Sequence, residues 1–130
     1  MVRSKILAAA AALAMLAGAA QAQPARPANQ CFFINQFQGW RAPDAKTIYI
    51  RVGVNDIYRL DLATACNDLL FPDSHLITKT RGPDTVCSAV DWDLSVAQTG
   101  PGSIPTPCIV KSMRKLTPAE AAAIPRKFRP

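Results

Sequence analysis

Two runs of alternating apolar and polar residues flank a short turn-forming stretch near the middle of the chain. In Thr47–Val52, Ile48, Ile50 and Val52 alternate with Thr47, Tyr49 and Arg51. In Ile57–Leu62, Tyr58, Leu60 and Leu62 alternate with Ile57, Arg59 and Asp61. A period of two puts every second side chain on one face of a strand. The intervening GVND, Gly53 to Asp56, carries the Gly/Asn/Asp chemistry of a tight reversal, so the segment predicts a β-hairpin. The same period recurs in VDWDLSV, Val90 to Val96, where Val90, Trp92, Leu94 and Val96 alternate with Asp91, Asp93 and Ser95. That places Trp92 toward a core and both aspartates on the other face of a long strand, Thr85 to Val96.

Shorter strands are expected at Cys31–Phe37, His75–Thr80 and Cys108–Leu116. Gly39–Lys46 reads as a loop. Ala63–Ser74 reads as a turn or a single helical turn ended by Pro72, and Arg81–Asp84 as a turn. Gln98–Pro107 holds three prolines and two glycines, which excludes regular structure. At the C-terminal end, Thr117 is an N-cap, Pro118 suits the first helical position and Glu120 completes a capping box, with Pro125 as the stop. The basic tail Arg126–Arg129 is expected to be solvated. The fold class is mainly β: a small antiparallel sandwich or partly open barrel of five to six strands, with two disulfides and a short C-terminal helix.

The N-terminal end changes this picture in one respect. Arg3 and Lys5 precede an uncharged apolar run, Ile6 to Ala20, and Ala20-Gln21-Ala22 is a small-x-small cleavage site. This is the three-part pattern of a secretory signal peptide over residues 1–22, and the apolar run falls short of the roughly 20 residues of a spanning helix. The expected product is therefore exported, to the periplasm or beyond the cell, without stable membrane insertion. The alanine-rich run and the lack of an N-x-[ST] acceptor site favour a bacterial origin. Residues 23–30 read as a mobile lead-in, and residues 31–130 as one domain. Without Arg3 and Lys5, thirteen basic residues face nine acidic ones, a net +4 that is spread along the chain except at the C-terminal end. Spread charge supports solubility and gives no clustered, aromatic-interleaved patch for nucleic acid.

Cys31, Cys66, Cys87 and Cys108 make an even set in an exported chain, which predicts two disulfides. No C-x-x-C exists for zinc, thiol redox exchange or haem attachment. If Val86–Val96 and Cys108–Leu116 form a hairpin, Cys87 and Cys108 lie about 30 Å apart, far beyond disulfide reach. The preferred arrangement is nested, Cys31–Cys108 with Cys66–Cys87.

Asp91 and Asp93 are the one candidate for catalysis. On a strand they stand roughly 6.5–7 Å apart, near the carboxyl separation of an inverting glycosidase. Acid–base work also needs a cleft and one raised pKa, so the solvated face of a strand is the simpler reading. A calcium loop opening at Asp91 fails, because Val96 stands where glycine is required and Gly102 where a bidentate glutamate is. His75 is the single histidine; it has no serine elbow to serve and reads as a surface or strand-edge residue. No metal and no cofactor site is expected.

Taken in order, Cys31-Phe32-Phe33, Tyr58-Arg59-Leu60, Cys66-Asn67-Asp68-Leu69, Val86-Cys87 and Cys108-Ile109-Val110 resemble a family of small exported Gram-negative proteins whose four-cysteine domain has no assigned function. The resemblance covers most of the chain after residue 22 and implies no catalytic residues. The leading expectation is a non-enzymatic periplasmic or secreted binding module for an envelope protein or a small ligand. The alternatives are a small hydrolase using Asp91 and Asp93, and a thiol redox protein.

Overall fold

The computed structural model describes residues 30–130. The expected signal peptide, residues 1–22, and residues 23–29 of the expected lead-in lie outside the described residues. Among the described residues, nine short strands follow one another: β1 (Phe32–Phe33), β2 (Phe37–Asp44), β3 (Thr47–Val52), β4 (Asp56–Leu62), β5 (Ser74–Thr80), β6 (Thr85–Val86), β7 (Trp92–Gln98), β8 (Thr106–Cys108) and β9 (Val110–Lys115). A short helix, α1 (Pro118–Ala123), follows the last strand. The strands form three antiparallel sheets, ordered β1-β6, β2-β3-β4-β9 and β5-β7-β8. The fold is mainly β and its sheets are open.

The hairpin of β3 and β4 forms as its alternation predicts. Ile48 lies opposite Leu60 and Ile50 opposite Tyr58, and all four are buried. Gly53 at the reversal has a φ of 58°, which glycine adopts without the clash a Cβ brings. On β7, Trp92, Leu94 and Val96 point inward and are buried. These two inward faces enclose the main core, and Phe32 of β1 sits between them. Its ring centre lies 5.0 Å from Tyr58 and 5.7 Å from Trp92. Burying an aromatic ring and seating it edge-on against another stabilises the junction on both counts.

The capping box at the start of α1 is present: the Glu120 N–H donates to Thr117 Oγ1 at 3.2 Å, and the Thr117 N–H donates to Glu120 Oε2 at 2.8 Å. The helix covers the outer face of the four-stranded sheet, where Ile57, Leu116 and Ile124 form a second buried cluster joined by Tyr49 and Phe128. The basic tail is exposed, as expected, but it is also ordered. Arg126–Phe128 folds into a 3-10 turn, and Arg129 Nη2 donates to the carbonyls of Ala122 and Ile124 at 2.8 Å each. Carbonyls left over at a helix end attract such a donor, so the tail is pinned at Arg129 while its basic side chains stay exposed to solvent.

Four segments depart from the pattern-based reading. Cys31–Phe37 is not one strand: β1 ends at Phe33 and a 3-10 turn, Ile34–Gln36, precedes β2. Gly39–Lys46 is mostly strand, because β2 is the edge of its sheet, where Pro43 costs no ladder bond and register shifts absorb the irregular pattern. Thr85–Val96 is broken by a 3-10 turn, Ala89–Asp91. Cys108–Leu116 is broken at Ile109: β8 pairs with β7, then β9 leaves to pair with β4.

The disulfides follow from these breaks and correct the nested pairing. Cys31 joins Cys87, and Cys66 joins Cys108. Phe32 pairs with Val86 across β1 and β6, which sets Cys31 beside Cys87. The Ala63 N–H donates to the Ile109 carbonyl at 2.9 Å, which draws the segment after β4, and Cys66 with it, toward Cys108.

Candidate functional site

Cross-strand register gives the three-stranded sheet a second face, turned away from the core. Lys79 lies opposite Asp93, Ile77 opposite Ser95, and Ser95 opposite Pro107. Two walls rise beside this face. One is the 3-10 turn carrying Ala89 and Val90; the other is the link Ile109–Val110 with Pro105. Together they bound a cleft of about 590 Å³, within the size range of small-ligand sites. Val90 and Ile109, one on each wall, are 72% and 62% exposed, so each wall presents an apolar side chain to solvent. Trp92 and Cys108 also line the cleft. The Trp92 indole N–H is buried and has no hydrogen-bond partner among the described residues.

The first wall is shaped by Asp91. Its Oδ2 accepts from the Cys87 N–H at 2.9 Å, the Ser88 N–H at 2.7 Å and the Ser88 hydroxyl at 3.0 Å. The Arg81 N–H donates to the Asp91 carbonyl at 2.8 Å, which ties the turn to the end of β5. This reverses the chain between β6 and β7 and leaves Val90 outside. Both walls are anchored by cystines: Cys87 lies two residues before the turn, and Cys108 directly precedes Ile109.

The two aspartates take different parts. Asp91 belongs to the turn and not to the strand, so the strand spacing that suggested a glycosidase pair does not apply. Asp93 lies at the rim as an ion pair with Arg81, whose Nε donates to Oδ2 at 2.9 Å and whose Nη2 donates to Oδ1. Hydrogen bonding from Arg81 lowers the Asp93 pKa below the ordinary aspartate value. A carboxylate held ionised has no proton to donate near neutral pH.

His75 is exposed on β5, an edge strand, opposite Ala97. Among the described residues, no three His, Cys, Asp or Glu side chains gather as metal ligands, and all four cysteines are in disulfides. No helix among them is long and apolar enough to cross a membrane. The residues that the sequence left unmarked are Val90 and Ile109. Each follows a cysteine within three positions, and that placement was the available signal.

Fold and site together define a small mainly β protein, stapled by two disulfides, with one apolar cleft between its anchored walls. The chain belongs to a family of unknown function (DUF6491), whose model matches residues 1–129. No curated protein and no solved structure matches it.

Proposed function

We propose that the protein is a non-enzymatic binding module, exported to the periplasm or beyond, and that the cleft over β5, β7 and β8 is its working surface. The observation that carries this reading is the make-up of the cleft. Its walls are apolar, its rim holds the Arg81–Asp93 pair, and both walls are covalently anchored. Pre-shaped apolar concavities with a few polar groups at the edge favour binding, since little ordering is needed when a ligand arrives. The occupant is an apolar group, presented by a small ligand or by a side chain of an envelope protein. Two disulfides and a pinned tail fit a domain that works outside a reducing compartment.

The test is a parallel pulldown from envelope extract with the wild-type chain and an Ile109→Asp variant as baits. A species retained by wild type and lost with the variant supports the reading. No specific species, or equal recovery with both baits, contradicts it.

A further inference from the structure

The corner between β4 and β5 presents two large apolar side chains in succession. In the 3-10 turn Asn67–Leu70, Leu69 points inward and is 4% exposed. Leu70 and Phe71, next along the chain, are 53% and 50% exposed. A 3-10 turn spreads successive side chains by a third of a revolution, so anchoring Leu69 leaves its neighbour pointing out. Pro72 follows and restricts the backbone at the tip.

Phe71 does not stand alone. It shares a shallow cavity of about 380 Å³ with Trp40 and Arg41 of β2 and with Lys127 and Phe128 of the C-terminal turn. The charged residues lining this cavity are Arg41 and Lys127, both exposed and both cations. Neither has a carboxylate within ion-pair distance among the described residues. Arg41 Nη1 donates to the Trp40 carbonyl at 2.9 Å, and Lys127 Nζ lies 4.6 Å from the centre of the Phe128 ring. Of the acids near the corner, Asp68 lines a different cavity, beside Gln98–Ile104, and Asp73, exposed next to Pro72, does not line this one.

A lone exposed leucine needs no explanation. Two exposed apolar side chains adjacent in sequence, beside a partly buried tryptophan and two cations without a carboxylate partner, match what an interfacial anchor requires: apolar groups to enter the acyl boundary, an aromatic ring near headgroup depth and cations for the phosphates. We propose that this corner docks the protein peripherally on an anionic phospholipid surface. Leu70 and Phe71 dip into the surface, while Arg41 and Lys127 meet headgroup phosphates. The corner shares no residue with the cleft, so the cleft stays open to its own occupant.

The experiment is co-sedimentation with large unilamellar vesicles, either phosphatidylglycerol with phosphatidylethanolamine or neutral phosphatidylcholine. Trp40 emission serves as a second readout, since Trp92 is buried. The expected result is binding to the anionic vesicles with a blue shift of Trp40, and little binding to neutral ones. Arg41→Ala/Lys127→Ala is expected to reduce partitioning by about 25-fold, at roughly five-fold per cation. Leu70→Ser/Phe71→Ser is expected to abolish the blue shift. These pairs lie on different elements and change exposed side chains, so each tests the proposal with the other as a folding control. Equal binding to both vesicle types, wild-type behaviour of both variants, no binding to anionic vesicles, or full competition by millimolar inorganic phosphate would overturn it.

Discussion

The Phe32 ring meets the Trp92 indole edge-on, with centroids 5.7 Å apart, and through this contact a two-residue strand joins the two larger sheets. Phe32 also touches Tyr58 on the opposite side of the core. Phe32→Ala is therefore expected to cost about 3–5 kcal/mol, the range for deleting a buried aromatic ring. Trp92→Phe should cost clearly less, because the indole N–H has no hydrogen bond to lose within the described residues. Urea unfolding of the two variants checks the order; equal losses would contradict it.

The cystines differ in access. Cys31 and Cys87 are exposed, whereas Cys66 and Cys108 are buried. Graded dithiothreitol with alkylation should open Cys31–Cys87 first, because exchange needs a thiolate to reach a sulfur. Peptide mapping without reduction should link Cys31 to Cys87 and Cys66 to Cys108. The closed loops span 56 and 42 residues, so losing either bond is expected to destabilise by about 2–4 kcal/mol.

Asp93 should titrate below an ordinary aspartate, since Arg81 favours its charged form. The folded-state pKa is lower than the unfolded one. Any contribution of the pair is thus present above the unfolded pKa and lost as pH falls through the folded value. Both side chains are more than half exposed, so solvent screens the pair and the effect on stability is small. Carboxyl-carbon NMR titration should show the depressed value in wild type and its return toward normal in Arg81→Ala. An unshifted Asp93 in wild type would remove the rim ion pair from the description of the cleft.

The C-terminal cover should respond to its cap and to its anchor. Thr117→Ala removes the acceptor for the Glu120 N–H and is expected to cost about 1 kcal/mol. Ile124→Ala empties the second cluster and is expected to cost at least about 2 kcal/mol. Hydrogen exchange should show α1 loosening in both variants while β3 and β4 keep their protection. Uniform loss across all three elements would mean that the cover and the main core unfold as one unit.

The hairpin of β3 and β4 could be read from the chain because one face is buried along its whole length, and alternation then repeats without interruption. The helix cap was equally legible, since Thr117, Pro118 and Glu120 act within a single turn. Alternation also ran through Val90 and Asp91, however, where the chain turns. There the decisive interaction is a side chain returning to the Cys87 and Ser88 backbone, and hydropathy does not register it. Ile109 hides a second break for a related reason. Cys108 and Val110 keep the period while the strand changes partner from β7 to β4, and a periodic pattern carries no record of the partner. The cystine pairing and both cleft walls depend on these two breaks. The cleft was thus beyond the reach of pattern reading, although Trp92, Leu94 and Val96 beneath it were placed correctly.

The central claim is that the cleft, among the exposed apolar positions, is the surface that meets a partner. Site-specific photo-crosslinking tests it most directly, with benzoylphenylalanine placed at Ile109 or, in a second variant, at Val54. Val54 is 84% exposed, in the turn between β3 and β4 and away from the cleft, so it controls for apolar exposure alone. In cells making the full chain, the account predicts a discrete adduct from position 109 and none from position 54. The same adducts from both positions, or none from position 109, would contradict it.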